Sequence, residues 1–386
     1  MMAGTCFHHT LSAFLLLLNP FVSQPALSFA TPSTFLPQRQ PTPATMGNVM
    51  QTICGGATSP AETSTSTSAS ATNDCKSNMT NGAFVFVKPH ANNEIVQDMV
   101  REALLAKSIR IMNEGDISGT EIDEKKLIDQ HYYAIASKAT LLDPKDLVIP
   151  ESKFQDFFGE SWSDVLSTNR AANAMQACDR FGIDATGLEK AWRDCEPLNK
   201  VVKFGGGFYC GLVTHGGESL YVFNAFFMSM RGKFTDPTTS IHWYEVEFDE
   251  SVLKWEDFRG VVLGPTDPSE APIGSIRRTI YEQWDSGLGL ESQPNKGDNG
   301  VHASASPLEG LAERMNWMGR KLEEDDAFGK LLLEAGIPAE VIQAWSVDPR
   351  VTLPGTGGEG SLFDALEDMD VGPCLEKCVA IHDASK

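Results

Sequence analysis

The chain has 386 residues, 41% of them hydrophobic, and carries a net charge of −21 at pH 7. That apolar fraction supports a buried core and excludes wholesale disorder, and the length allows two or three domains. With 31 Lys and Arg against 52 Asp and Glu, there is no cation excess for general nucleic-acid binding, although one local basic pocket is compatible with the balance.

Residues 11–22 form an apolar run, LSAFLLLLNPFV, well short of the roughly 20 residues that span a bilayer. Small residues follow up to Ala30, so residues 1–30 have the layout of a cleaved signal peptide, with no stable membrane anchor after its removal. Residues 31–61 hold no acid and only one charge, Arg39, among many Ser, Thr and Pro. A hydroxyl-rich, acid-free tract of that kind behaves as an organelle transit peptide. The junction Ala26-Leu27-Ser28-Phe29-Ala30 resembles the bipartite presequences of algae with complex plastids, which predicts a plastid address. The alternative is secretion with a disordered stalk, in which Asn78-Met79-Thr80 becomes a glycosylation sequon. Residues 64–73, rich in Ser and Thr, are linker, so residues 31–80 fall outside the fold.

Order is predicted to begin with a strand at residues 84–88. A helix starts at Asn93-Glu94 and carries Ile95, Met99, Val100, Ala103 and Leu104 at helical spacing. Alternation at Ile109 and Ile111 predicts a second strand, ending in a turn over residues 113–119. Thr120 to Asp123 reads as a capping box for a helix reaching about Ser137. Tyr244, Val246 and Phe248 alternate with Trp243, Glu245 and Glu247, which predicts a half-buried strand over 241–248. A helix near 251–258 then leads to a short apolar strand, Val261-Val262-Leu263. This order of elements suits an α+β sandwich of the split βαβ type.

Residues 144–240 are an insertion that this scheme does not need: helix over 163–195, broken at Gly182 and Gly187, then extra strands near 201–204 and 221–230. Gly205-Gly206-Gly207 is a flexible turn, because it lacks the Lys-Ser/Thr of a phosphate loop. Residues 321–386 form an acidic extension with helices over 328–335 and from 362 to about 382, read as a solvated face or lid. Cys374 and Cys378, one helical turn apart, read as inert buried thiols.

The chemistry sits between Gly264 and Glu313. Ser306 is a good N-cap, Pro307 suits the first helical position and Glu309 completes Ser-x-x-Glu, so a helix begins four residues after His302. A helix start offers free N–H groups to phosphate. Glu313, one turn beyond Glu309, is placed to hold one ring nitrogen of His302 and leave the other as a nucleophile.

The ordered set Lys88-Pro89, Tyr132, Thr266, Arg277, Asn299, His302, Ser304 and Glu313 resembles the nucleoside diphosphate kinases, over residues 83–143 and 241–320. The resemblance implies a ferredoxin-like βαββαβ sandwich with an antiparallel sheet, a domain spanning 83–320, enlarged by the insertion and the C-terminal extension. It implies transfer of the γ-phosphate of ATP or another nucleoside triphosphate to a nucleoside diphosphate through phosphohistidine at His302, with Glu313 orienting the ring. Lys88 and Tyr132 would approach the transferred group and the ribose side. Thr266 and Arg277 would hold the diphosphate, Asn299 would bond a ribose hydroxyl, and Ser304 would support His302. The family's phosphate-binding Arg corresponds to Arg259, one position out of register, and its base-stacking Phe to Phe157. Mg²⁺ would be carried by the nucleotide phosphates, with no metal ligands from the protein. The family assembles into multimers, contacts that the insertion would block or replace. The chain departs from the family at His90-Ala91, Gly260 and Ala305, and by the extra residues 285–296. A catalytically weak nucleotide-binding scaffold is the competing reading; a secreted hydrolase finds no Ser/His/Asp set or acid pair to use.

Overall fold

The computed structural model describes residues 80–205, 207–355 and 358–386; the predicted signal peptide, transit-like tract, linker and the Asn78 end of the sequon lie outside the described residues. Among these the strands in chain order are β1 (Thr80–Val87), β2 (Arg110–Ser118), β3 (Ala171–Asn173), β4 (Val201–Gly205), β5 (Phe208–His215), β6 (Glu218–Phe223), β7 (Ser240–Asp249), β8 (Val301–Ala303), β9 (Arg350–Thr352) and β10 (Glu359–Ser361). Strand β1 organises the site. Its two-residue period sends Ala83, Val85 and Val87 to one face and Phe84 and Phe86 to the other, and both faces are buried.

The main sheet has the order β2-β7-β1-β8, antiparallel at every neighbouring pair. Helix Glu94–Ala106 joins β1 to β2 and helix Ile276–Gln283 lies between β7 and β8; both pack on the face that holds Val85, Tyr244 and Val246. The other face is covered by helix Leu127–His131, Phe234 and Trp317. The architecture is α+β. Asn93 caps the first helix as predicted, accepting the N–H of Val96 at 3.0 Å.

Several predicted elements fall elsewhere. Residues 113–118 continue β2 instead of turning, because β2 is an edge strand whose polar side chains face solvent or pair with β7. Asn113, for example, donates to Glu245 Oε2 at 2.7 Å. The helix expected through Ser137 breaks into Gly119–Glu124, Leu127–His131 and Tyr133–Ala136, with Ser118 as its N-cap and a left-handed Lys126 (φ 56°) at the first break. Val261-Val262-Leu263 belongs to a π-helical turn, Phe258–Leu263: Phe258 and Val262 are buried four residues apart while Val261 is exposed, a helical rather than an alternating pattern.

The inserted segment builds a second sheet, β3-β6-β5-β4, with its own apolar clusters around Trp192 and Phe223. Residues 226–230, predicted as strand, are instead the start of helix Phe226–Thr235. Buried Arg231 on that helix bonds both carboxylate oxygens of fully buried Asp129 through Nε at 3.0 Å, which fixes the segment carrying His131 and Tyr132.

The C-terminal extension is not simply a solvated face. Leu308 and Leu311 share a core with Leu332, Ile342, Trp345, Leu362, Val371 and Cys378, while Glu323, Glu324 and Asp326 are exposed. The predicted last helix is two, Leu362–Leu366 and Val371–Ala384, parted at a left-handed Asp368 (φ 62°). Cys374 and Cys378 are buried, unpaired thiols. The extension is tied to β1: Asn81 donates to Asp370 Oδ1 at 2.8 Å and accepts the N–H of Val371 at 3.0 Å. Helix Pro307–Met318 approaches β1 so closely that a Cβ on Gly310 would sit 2.6 Å from the Gly82 carbonyl oxygen.

Arg314 and Asp325, each 1% exposed, lock this junction. Arg314 donates to Asp325 at 2.7 and 3.1 Å and to Gly82 O at 2.8 Å, and Asp325 also accepts the N–H groups of Phe328 and Gly329. Burial alone would raise the Asp325 pKa, and Arg314 with these bonds brings it below its usual value. Arg314→Ala strands a buried carboxylate and is expected to cost about 3–5 kcal/mol, read as a lower urea midpoint.

Candidate functional site

One cavity of about 980 Å³ opens between the main sheet, the insertion and the C-terminal extension. Lys88, Tyr132, Arg259, Thr266, Arg277, Asn299, His302 and Glu313 all line it. Ser304 lies beneath it, fully buried. Phe157 does not reach it: it lies in helix Glu151–Phe158, edge-on to Phe158, and packs on the insertion's own core, so the base-stacking assignment is corrected.

His302 sits on edge strand β8, opposite Phe86 of β1, and its ring stacks on the Phe86 ring at 4.7 Å. Its Nε2 is 2.5 Å from Glu313 Oε1. The other carboxylate oxygen, Oε2, accepts from Ser304 Oγ at 2.5 Å, and Ser304 Oγ accepts the N–H of Phe84 at 2.8 Å. A chain of bonds therefore runs from the β1 backbone through Ser304 and Glu313 to the imidazole. Burial, then the charges of Lys88 and Arg277, drives the His302 pKa well below its usual value. The ring is therefore neutral near pH 7: Nε2–H donates to Glu313 and Nδ1 keeps its lone pair. Burial pushes the Glu313 carboxyl up to about 7, against the lowering by His131, the Ser304 bond and Arg314.

Helix Pro307–Met318 starts as predicted, with Ser306 accepting the Glu309 N–H at 3.2 Å and Pro307 in the first turn. Only that half of the capping box forms among the described residues. Glu309 lines the cavity instead, its pKa raised well above normal by burial and by Glu313.

The cations have unequal partners. Arg277 donates to the carbonyl oxygens of Val301 at 2.9 and 3.1 Å and of Gly264 at 2.8 Å. Neutral acceptors leave its charge unbalanced, and burial followed by Arg259 lowers its pKa to about 10. Gly264 must be glycine: at φ 87° a Cβ would meet Ser275 Oγ at 2.7 Å and Ala271 Cβ at 2.8 Å. Lys88 donates to Gly297 O at 3.2 Å. Burial and Arg277 depress the Lys88 pKa to about 7, Lys233 adds to that, and Asp298 opposes it. Arg259 is differently placed, ion-paired at 2.7 Å to both Glu367 and Asp368 of the extension. Asn299 is 2% exposed; its Nδ2 donates to Thr266 O at 3.1 Å while its Oδ1 has no partner among the described residues.

His131 is the residue that sequence reading left out. Its ring stands edge-on to His302 at 4.6 Å, and its Nδ1 lies 3.4 Å from Glu313 Oε1. No local sequence signal singles it out; its contacts with His302, Glu313 and Trp317 are tertiary. Departures from the family pattern are also accommodated: His90 Nε2 accepts the N–H of Gly300 at 3.1 Å and so braces the loop that carries Asn299. Tyr132 has its pKa raised by burial and by Glu313 and Glu309, and stays protonated.

No protein-family model and no curated protein matches the sequence. The solved structures similar to it include a nucleoside diphosphate kinase from Encephalitozoon cuniculi (12% identity, 64% of this chain and 95% of that one, TM-score 0.30) and an NDP kinase from Pyrobaculum aerophilum (17% identity, 64% and 98%, TM-score 0.30). Likenesses this slight decide neither fold nor chemistry.

Lys88 titrates where it matters for an anion. Its charge is present below its pKa of about 7 and lost above it. Affinity for a non-hydrolysable nucleoside triphosphate, measured by calorimetry from about pH 6 to about pH 8, should fall several-fold as pH rises, and Lys88→Arg should flatten that decline relative to the unaltered chain.

Proposed function

We propose that the chain is a nucleoside diphosphate kinase-like phosphotransferase. On this reading the sheet order β2-β7-β1-β8 with its two crossover helices is a ferredoxin-like βαββαβ sandwich. The observation that carries the proposal is the buried Ser304–Glu313–His302 chain, which leaves His302 Nδ1 as a lone pair in a cavity that also holds Lys88 and Arg277. A cavity of about 980 Å³ suits a nucleotide, and two half-buried cations, bonded among the described residues to carbonyl oxygens and to no carboxylate, suit its phosphates.

The substrate is a nucleoside triphosphate with its Mg²⁺. Lys88 and Arg277 hold the terminal phosphates in line with His302. Nδ1 attacks the γ-phosphorus: the N–P bond forms as the P–O bond to the β-phosphate breaks, and that electron pair leaves on the nucleoside diphosphate. Positive charge develops on the imidazole, and Glu313, hydrogen-bonded to Nε2–H, stabilises it. A second nucleoside diphosphate then attacks the phosphohistidine through a terminal oxygen and leaves as triphosphate. Positioning and charge stabilisation do nearly all of this work, as phosphoryl transfer requires. Thr266 lies beside the diphosphate, Tyr132 on the ribose side, and Asn299 bonds a ribose hydroxyl. The leader routes this activity to a plastid, and assembly into multimers must accommodate the second sheet.

Incubation with γ-labelled ATP is expected to give an acid-labile, base-stable label on His302 that chases into added GDP. His302→Gln should abolish it. Glu313→Gln should slow labelling by about a hundredfold or more, and Ser304→Ala by about ten- to a hundredfold, the kinetic equivalent of one hydrogen bond to a charged group. Stoichiometric ATP binding without label would overturn the kinase and leave a nucleotide-binding scaffold.

Arg259 gives a separate test. Glu367 and Asp368 stand where a phosphate would otherwise pair with it. The double change Glu367→Gln with Asp368→Asn should tighten triphosphate binding several-fold, measured by calorimetry, and adding Arg259→Met should cancel the gain.

A further inference from the structure

We infer that His131, His302 and Glu313 form a binding site for one transition-metal dication of the Zn²⁺ class, and that the metal and phosphoryl transfer exclude each other. One ligand atom from each of the three residues lies within 4.8 Å of the others. The side chains are 5%, 16% and 4% exposed. Two imidazoles and one carboxylate are a donor set that holds zinc with a fourth position open, and here that position faces the cavity.

The hydrogen bonding of His131 is compatible with ligation. The Trp317 indole N–H donates to His131 Nδ1 at 3.3 Å, so Nδ1 carries a lone pair and the ring proton sits on Nε2. Glu313 Oε1 lies 3.4 Å from the same nitrogen. A dication here takes that lone pair in exchange for the long Trp317 bond and sets positive charge beside the buried carboxyl group. Zinc ligands at about 2.0–2.2 Å from the metal stand roughly 3.3 Å apart in a tetrahedron. The His131–Glu313 spacing already matches, and the 2.5 Å contact of His302 with Glu313 widens when its shared hydrogen is displaced.

That displacement sets the consequence. When Nε2 of His302 ligates a metal, the ring stays neutral by moving its proton to Nδ1, with no net proton loss. Nδ1 then has no lone pair with which to attack phosphorus. Metal binding stands independently of the kinase reading; only the blocking effect rests on it.

The test uses the full chain stripped of metal. Titration with Co²⁺ should give a four- or five-coordinate visible spectrum saturating at one equivalent, and Zn²⁺ should displace it. His131→Gln should weaken binding by at least tenfold. In the unaltered chain, Zn²⁺ should protect both His131 and His302 from diethyl pyrocarbonate, mapped by mass spectrometry, which keeps the test valid if the variant misfolds. With γ-labelled ATP, one equivalent of Zn²⁺ should suppress labelling of His302, whereas His131→Gln should label equally with and without zinc. Absent binding, a cobalt–thiolate charge-transfer band, or protection confined to other histidines would overturn the site. Confirmed binding in a protein that never takes label would overturn the kinase and leave the metal site standing.

Discussion

Glu313 is a carboxyl group buried where charge is costly, its pKa raised to about 7, and each of its oxygens has its own partner. One is held by Ser304, which is itself fixed to the backbone of β1; the other holds the His302 ring. Everything that can happen in the cavity depends on that bridge. Without it the imidazole would be free to rotate on an edge strand, and Lys88 and Arg277 would face a group with no defined tautomer. With it, one nitrogen is committed and the other is available. The scaffold serves the same end: β1 is buried on both faces, Phe86 backs the imidazole, and Gly310 lets the helix carrying Glu313 lie against β1.

The charge distribution explains how so acidic a chain can be read as binding an anion. Across the sequence the net charge is −21, yet Lys88 and Arg277 are bonded to carbonyl oxygens rather than to carboxylates. A guanidinium satisfied by neutral acceptors keeps its full field, whereas one already paired does not. Arg259 is the contrast, since Glu367 and Asp368 spend its field within the protein. The extension is therefore part of the electrostatics of the cavity as well as part of its wall.

Much of the site was legible because its residues keep fixed spacings around local structure. Ser306, Pro307 and Glu313 announce a helix and what stands on it, and the structure brings His302 to the expected place. Phe157 was misassigned because the insertion destroys the spacing on which such an assignment depends. His131 was missed because a histidine on a helix face carries no local mark; only its tertiary neighbours Trp317, His302 and Glu313 give it meaning. In the fold, buried strands β1 and β7 were clear from their apolar periodicity. The polar length of β2 read as a turn because an edge strand has no second partner to demand apolar residues. The acidic extension hid its core for a related reason: its apolar residues are spread over several short helices, and the outward charges dominate the composition.

Asn81, near the start of the folded region, and Asp370, in the C-terminal extension, are joined across a sequence separation of 289. Pairings at that separation close slowly and late. A nascent polypeptide still on the ribosome would hold His302 and Lys88 well before the segment that neutralises Arg259 and walls the cavity has emerged. The pocket is therefore complete only once the segment around Asp370 has docked on β1, after the residues inside the pocket have been made.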